Sequence, residues 1–170
     1  MPTKLSATRK SRVPAARGKT GIGPAAATDP RRILVPVDFS EPSRQAVAYA
    51  ARLARAFGGS LRLLHVVETF PIDAFIGSEA VQEMQAAAAR GAQARLQELA
   101  AALDAEGGGR VEVLVRTGSP HRVIVAAAAE WRANLIVLAT RGLTGLRRAY
   151  LGSTAERVVR HAPCPVTVVR

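Results

Sequence analysis

Glycine and hydroxyl residues are concentrated in one segment near the C-terminal end of the sequence. Gly142 and Gly145 lie in a loop, and Gly152, Ser153 and Thr154 follow at the predicted start of a helix. Glycines let a backbone approach an anion closely, and the free N–H groups and hydroxyls of a helix start attract phosphate. The pattern therefore predicts a phosphate-binding segment, although each residue taken alone also fits an ordinary turn or helix cap.

Apolar runs and helical periods alternate along residues 31–170. Five runs are typical of buried strands, at 33–37, 60–67, 111–115, 135–139 and 165–169. Four helices are expected to begin at Ser40, Ser78, Ser119 and Gly152 and to end near Gly58, Gly107, Trp131 and His161. These repeated steps predict a single doubly wound α/β domain, with a mainly parallel five-stranded sheet of order 3-2-1-4-5 and helices on both faces.

Ligands of open parallel sheets bind at the carboxyl ends of the strands, where the winding direction reverses. In the predicted order this point lies between strands one and four. Asp38 ends strand one, and Ala139 ends strand four just before the glycine segment. Asp38 is thus a candidate hydrogen-bond acceptor for a ligand, and equally a candidate for structuring the turn before the first helix.

Composition limits the classes of function. The single cysteine excludes a disulfide framework or a multi-cysteine metal site within one chain and favours a reducing compartment. The longest apolar run, residues 123–129, is far shorter than the roughly 18 residues of a membrane-spanning helix. We therefore expect a cytoplasmic protein that makes no membrane contact.

The net charge of +11 is shared between a tail and a domain. Residues 1–30 hold six Lys and Arg against one acid and have no hydrophobic period, which predicts a disordered basic tail before a domain over 31–170. The tail fits a transit peptide, a polyanion-binding arm or an extension without function. The arginines of the domain are scattered and lack an RNA-binding signature, so nucleic acid is not an expected partner.

Four segments, in the same order, resemble the universal stress protein family across residues 31–170. They are ILVPVDFSEPS, SLRLLHVVE, RTGSP and ANLIVLATRGLTGLRRAYLGSTAERVVRHAPCPVTVV. The nucleotide-binding branch of that family carries Gly-x-x-Gly, nine residues, and then Gly-Ser or Gly-Thr. Gly142, nine residues and Gly152-Ser153 match here, whereas Ala139 takes the place of the first glycine. The resemblance also implies an adenosine pocket lined by Pro36, Val37, Asp38 and Val66.

Two residues of this motif depart from the family pattern. Ala139 costs about 1–2 kcal/mol if its position needs a positive φ, and almost nothing if it is the extended end of strand four. Arg141 stands where many relatives have histidine, and it either pairs with phosphate or is solvated. The nucleotide contacts that we expect are Pro36, Val37, Asp38, Val66, Ala139, Arg141, Gly142, Gly145, Gly152, Ser153 and Thr154.

The resemblance implies an adenine-nucleotide-binding module of the stress response, with ATP, alone or with Mg²⁺, as its ligand. Cyclic AMP is a second ligand that the motif allows. The alternative function is a dimeric interaction protein that binds no nucleotide, as in the other branch of the family. Both functions involve a protein partner, which the sequence does not identify.

A homodimer is expected because the last strand is hydrophobic. Val166, Val168 and Val169 would form an aggregation-prone edge if they were left bare. Pairing this strand with the same strand of a second copy, as the resemblance implies, gives a closed twofold interface.

No known catalytic arrangement is present in the sequence. A P-loop, a nucleophile elbow and a zinc-binding His-Glu-x-x-His motif are all missing. His65, His121 and His161 fall on different elements without ligand spacing, and Cys164 is expected to be a small buried apolar residue. We therefore predict a protein that is not an enzyme, with slow ATP hydrolysis at most as a side activity.

Overall fold

The computed structural model describes residues 30–69, 79–107, 110–140 and 151–170. Strands and helices alternate strictly in the order β1 Arg32–Pro36, α1 Glu41–Phe57, β2 Ser60–Glu68, α2 Glu79–Ala105, β3 Arg110–Gly118, α3 Pro120–Glu130, β4 Leu135–Ala139, α4 Ser153–His161 and β5 Val166–Val169. All strand pairs are parallel, and the sheet order is β3-β2-β1-β4-β5. The predicted doubly wound α/β fold and its strand order are confirmed.

Two apolar layers cover the two faces of the sheet, because successive side chains of a strand point to opposite faces. Ile33 and Val35 of β1 pack in one layer with α1 and α2. Leu34 of β1 and Ile136 of β4 pack in the other layer with α3 and α4. Central strands are therefore buried on both sides, which explains why they are continuous apolar runs in the sequence.

The helix after β1 begins and ends as its sequence predicts. Ser40 is the N-cap of α1, its Oγ accepts a hydrogen bond from the Ser43 N–H at 3.3 Å, and a proline occupies the first turn. Gly58 ends the helix in the left-handed conformation, with φ of 59°. The Ser40 cap fixes the direction in which the chain leaves the carboxyl end of β1, and the Gly58 cap turns the chain toward β2.

Several strand bounds shift by one residue, and two elements differ more strongly from the sequence-based expectation. β3 extends from Arg110 to Gly118 instead of 111–115, because an edge strand continues through exposed residues as long as its backbone pairs with β2. In α2, apolar residues follow a helical period from Val81 onward, which predicts burial along the whole helix, yet Met84 is 64% exposed and full burial begins only at Ala92. At about 40 Å, this helix is longer than the roughly 30 Å strand beside it.

The edges of the sheet are β3 and β5. Val166, Val168 and Val169 of β5 are half-buried on the single chain. The strand that is expected to pair with a second copy, β5, is therefore an edge strand, while the homodimer itself stays a prediction. Among the helices of the described ranges, none is both long enough and apolar enough to span a membrane.

Candidate functional site

A cavity of about 410 Å³ lies at the carboxyl ends of β1, β2 and β4. Its volume is in the range of small-molecule sites, and it lies at the point where the strand order reverses between β1 and β4. Its lining residues are Pro36, Val37, Asp38, Ser43, Leu64, His65, Val66, Glu68, Pro120, Ile124, Leu138, Ala139, Thr140, Gly152, Ser153, Thr154, Ala155 and Val158.

Most of the predicted contact residues meet in this cavity. The structure brings together Pro36, Val37, Asp38, Val66, Ala139, Gly152, Ser153 and Thr154. The remaining three, Arg141, Gly142 and Gly145, lie outside the described residues. The spatial grouping agrees with the sequence analysis, while the binding roles of these residues stay predictions.

Asp38 structures the turn between β1 and α1. Its Oδ1 accepts hydrogen bonds from the Ser40 N–H at 3.0 Å and from the Ser40 hydroxyl at 2.6 Å. Its own N–H donates to Ser43 Oγ at 3.2 Å. The turn-structuring role is therefore present, and it holds this carboxylate at the cavity wall, where a ligand would meet it.

The start of α4 offers fewer free donors than the sequence suggested. The Gly152 N–H, which we expected to be free, donates to the Thr140 carbonyl at 2.8 Å. Within the described ranges, the N–H groups of Ser153, Thr154 and Ala155 have no hydrogen-bond acceptor. Three backbone donors and two hydroxyls thus remain at the positive end of this helix, which is sufficient to bind an anion.

Ala139 occupies an ordinary strand position. It is the last residue of β4 and pairs with Val169 of β5. Among the described residues, positive φ at a residue other than glycine occurs only at Phe39 and Arg132. Ala139 is therefore the extended end of β4, the case in which alanine was expected to cost almost nothing. Alanine in place of the first glycine of the motif carries no backbone penalty in this structure.

Several residues that line the cavity were not predicted from the sequence. Among them, Thr140 has the clearest structural role. Its side chain is buried, its N–H donates to the Val169 carbonyl at 2.9 Å, and its carbonyl accepts from Gly152. Thr140 thereby joins β5 to the start of α4. Its position directly after a predicted strand was the available signal.

Apolar side chains from several elements form a wall of the cavity. None of them was predicted as a contact, because in the sequence they look like ordinary core residues. They are Leu64 of β2, Ile124 of α3, Leu138 of β4, and Ala155 and Val158 of α4. Such a wall suits a flat aromatic group such as a purine ring.

The three histidines lie on separate elements, and only His65 lines the cavity. Its Nδ1 is 2.7 Å from the Val37 carbonyl. Because a carbonyl oxygen only accepts, Nδ1 carries the proton and donates. Among the described residues, no three histidine, cysteine or acidic side chains form a potential metal site. Cys164 is partly buried, and burial raises the pKa of its thiol, which keeps it protonated.

His121 lies on α3 beside the cavity residue Pro120, and its pKa is lowered. Burial is the main cause, followed by the positive charges of Arg157, Arg122 and His161. Because the folded-state pKa is below the unfolded-state value, protonation favours the unfolded chain. The free energy of unfolding should therefore fall as the pH decreases through the ordinary histidine range near about 6.5.

We expect His121→Gln to reduce this pH dependence, since glutamine does not titrate. Urea denaturation of both proteins, measured from about pH 8 to about pH 5 around the histidine pKa, checks it. An identical loss of stability in the variant would show that other groups cause it.

Comparisons with known proteins agree with this geometry. A sequence model of the universal stress protein family matches residues 30–170. The chain belongs to the universal stress protein family. A universal stress protein of Methanocaldococcus jannaschii is 33% identical to it over 146 residues, which cover 82% of each chain. The structure of the universal stress protein UspA from Lactobacillus plantarum matches with a TM-score of 0.73 and 28% identity, over 83% of this chain and 98% of that one.

Two further structures of the family were solved with adenine nucleotides. A universal stress protein in complex with cAMP is 26% identical, with a TM-score of 0.56, over 82% of this chain and 96% of that one. A universal stress protein from Archaeoglobus fulgidus in complex with dAMP has the same identity and TM-score, over 82% of this chain and 97% of that one.

Proposed function

We propose that this universal stress protein binds an adenine nucleotide in the cavity at the carboxyl ends of β1 and β4. The observation that carries the proposal is the combination in one cavity of an acceptor, an apolar wall and the start of a helix. Asp38, Leu138 and Ser153 represent these three parts. The protein acts in the stress response by binding and not by catalysis.

Each part of the cavity suits one part of a nucleotide. The apolar wall fits adenine, and Asp38 accepts a hydrogen bond from ribose or base. The free N–H groups of Ser153 and Thr154, at the positive end of α4, bind phosphate oxygens. Arg141 and Gly142 follow Thr140 directly in the sequence and are proposed as further phosphate contacts.

ATP is the nucleotide that we propose. The complexes of two relatives with cAMP and dAMP support an adenine ligand. A triphosphate uses the donors of α4 more fully than a monophosphate does. Mg²⁺ fits this proposal as a companion of the phosphates, because it usually keeps several waters and needs few protein ligands. The described residues accordingly need not contain an acidic cluster for it.

Calorimetric titration of refolded, nucleotide-free protein with Mg-ATP tests the proposal. We expect saturable binding that Gly152→Val weakens by at least about tenfold, or about 1.4 kcal/mol. Gly152 has φ of −69° and ψ of 153°, a conformation that valine adopts readily, so the substitution tests the space beside the cavity and not the backbone. Parallel titrations with cyclic AMP and AMP rank the ligands.

Gly91→Val is the matched control, because it is the same exchange at a helical site on α2 with open space around it. It should bind Mg-ATP as the unmodified protein does. If Gly152→Val bound Mg-ATP as tightly as the unmodified protein does, the ligand would not lie against the start of α4. The absence of heat with every nucleotide at millimolar concentration would leave the alternative, a dimeric interaction protein without nucleotide.

A homodimer through β5 is a second part of the proposal. β5 is an edge strand with valines at positions 166, 168 and 169, and a second copy would cover these side chains.

A further inference from the structure

Three side chains, from α2, β2 and the turn before α1, form a column next to the cavity. The guanidinium carbon of Arg95 on α2 is 3.8 Å from the centroid of the Phe39 ring. That ring is 4.8 Å from the imidazole of His65 on β2, with an angle of 35° between the planes. Of the three, only His65 lines the cavity. We call these residues the Arg95–Phe39–His65 column.

The backbone of Phe39 has a rare conformation, which the contacts of the column help to hold in place. Its φ is 65°, which is rare for a bulky residue and persists only where surrounding contacts hold it. The Phe39 carbonyl accepts a hydrogen bond from Arg44 Nη1 at 3.0 Å. The ring is held between a cation and an imidazole, so both ends of this residue are fixed.

The column is connected to the cavity wall on both sides of Asp38. His65 donates from Nδ1 to the carbonyl of Val37, the residue before Asp38. Phe39 is the residue after it, and the left-handed turn there brings the Ser40 N–H and hydroxyl onto the Asp38 carboxylate. The position of Asp38 therefore depends on contacts that α2 and β2 supply.

We propose that Arg95 and Phe39 are positioning residues for nucleotide binding, which act through the turn at Asp38 without touching the ligand. The inference rests on the proposed function, since it concerns the same cavity. It assigns a binding role to a residue of α2, an element that contributes no side chain to the cavity lining.

Titration with adenosine and with Mg-ATP tests this role. Arg95→Ala should weaken both ligands by the same factor, about twofold to fivefold, because Arg95 is exposed and Asp38 faces the nucleoside that they share. Arg95→Lys keeps a cation over the ring and should restore most of the affinity. Phe39→Gly keeps the left-handed turn accessible but removes the ring, and we expect a similar loss.

A matched control and a double variant separate positioning from general stability. Arg52 also lies over a ring, 5.9 Å from the centroid of Tyr49 on α1, and Arg52→Ala should leave both affinities unchanged. If Arg95 acts through Asp38, the effect of Arg95→Ala should largely disappear in an Asp38→Asn background. Full additivity, or a loss for Mg-ATP but not for adenosine, would overturn the inference.

One readout needs no ligand. In the NMR spectrum of the unliganded protein, the His65 Nδ1 proton should exchange slowly in the unmodified protein and in Arg95→Lys, and quickly in Arg95→Ala. If no nucleotide binds, the proposed function fails, and this signal still decides whether the column holds the turn. An unchanged His65 signal in Arg95→Ala would refute the positioning role.

Discussion

Replacing Ile136 by alanine is expected to lower the free energy of unfolding by about 2–5 kcal/mol. Ile136 is completely buried in β4, where it lies opposite Leu34 of β1 and Val166 of β5. It packs in the layer that α3 and α4 form over the sheet. Alanine removes apolar contacts there and leaves a cavity that a central strand, fixed on both sides, cannot close.

Urea denaturation followed by circular dichroism measures this loss. Ile136→Val removes a single methylene and should cost about 0.5–1.5 kcal/mol. Val159→Ala is the control, because Val159 on α4 is 48% exposed and its change should stay within about 0.5 kcal/mol. A cost of Ile136→Ala no larger than that of Val159→Ala would contradict the observed packing of β4.

The fold was predictable because its central strands can be recognised in the sequence as continuous apolar segments. Segments such as ILVPV and LIVLA are apolar on both faces, as strands covered by helices must be. Glycines and capping residues mark where the intervening helices begin and end, so the order of elements follows directly. Element boundaries were less predictable at β3, where pairing with β2 extends the strand through Arg116 and Thr117.

Polar residues inside strands are explained only by their partners in space. Arg62 interrupts the apolar pattern of β2, and the strand register places it opposite Glu112 of β3. Arg62 Nη2 lies 2.6 Å from Glu112 Oε2, and its guanidinium carbon lies 4.4 Å from the centroid of the Trp131 ring. Three residues that are far apart in the sequence thus form one contact, which no local pattern indicates.

The site was partly predictable for the same reason. Asp38 and the start of α4 follow apolar strands, and parallel strands bring their carboxyl ends to one edge. The bond from Gly152 to the Thr140 carbonyl and the left-handed conformation of Phe39 result from tertiary contacts. Local propensity favours neither of them. The number of free N–H groups at the start of α4 and the contacts that hold Asp38 could therefore not be predicted from the sequence.

Replacing Gly59 by alanine is the second substitution with a large expected effect, about 1–3 kcal/mol of destabilisation. Gly59 connects α1 to β2, and its N–H donates to the Ala54 carbonyl at 2.8 Å. An added Cβ would lie 2.8 Å from the Pro30 carbonyl oxygen and 3.0 Å from both Cα and the carbonyl oxygen of Arg31. These are backbone atoms just before β1, so they can move only by disturbing the entry to the central strand.

Gly91→Ala is the matched exchange, and its expected effect has the opposite sign. Gly91 lies inside α2, and an added Cβ there meets nothing within 4 Å. Alanine at this site should raise the free energy of unfolding by about 0.5–1 kcal/mol, because glycine in a helix loses more backbone entropy on folding. Thermal and urea denaturation of both variants compare the two effects directly. If Gly59→Ala were neutral while Gly91→Ala stabilised, the close approach of residues 30–31 to Gly59 would be wrong, and the start of β1 would be less tightly packed than the structure has it.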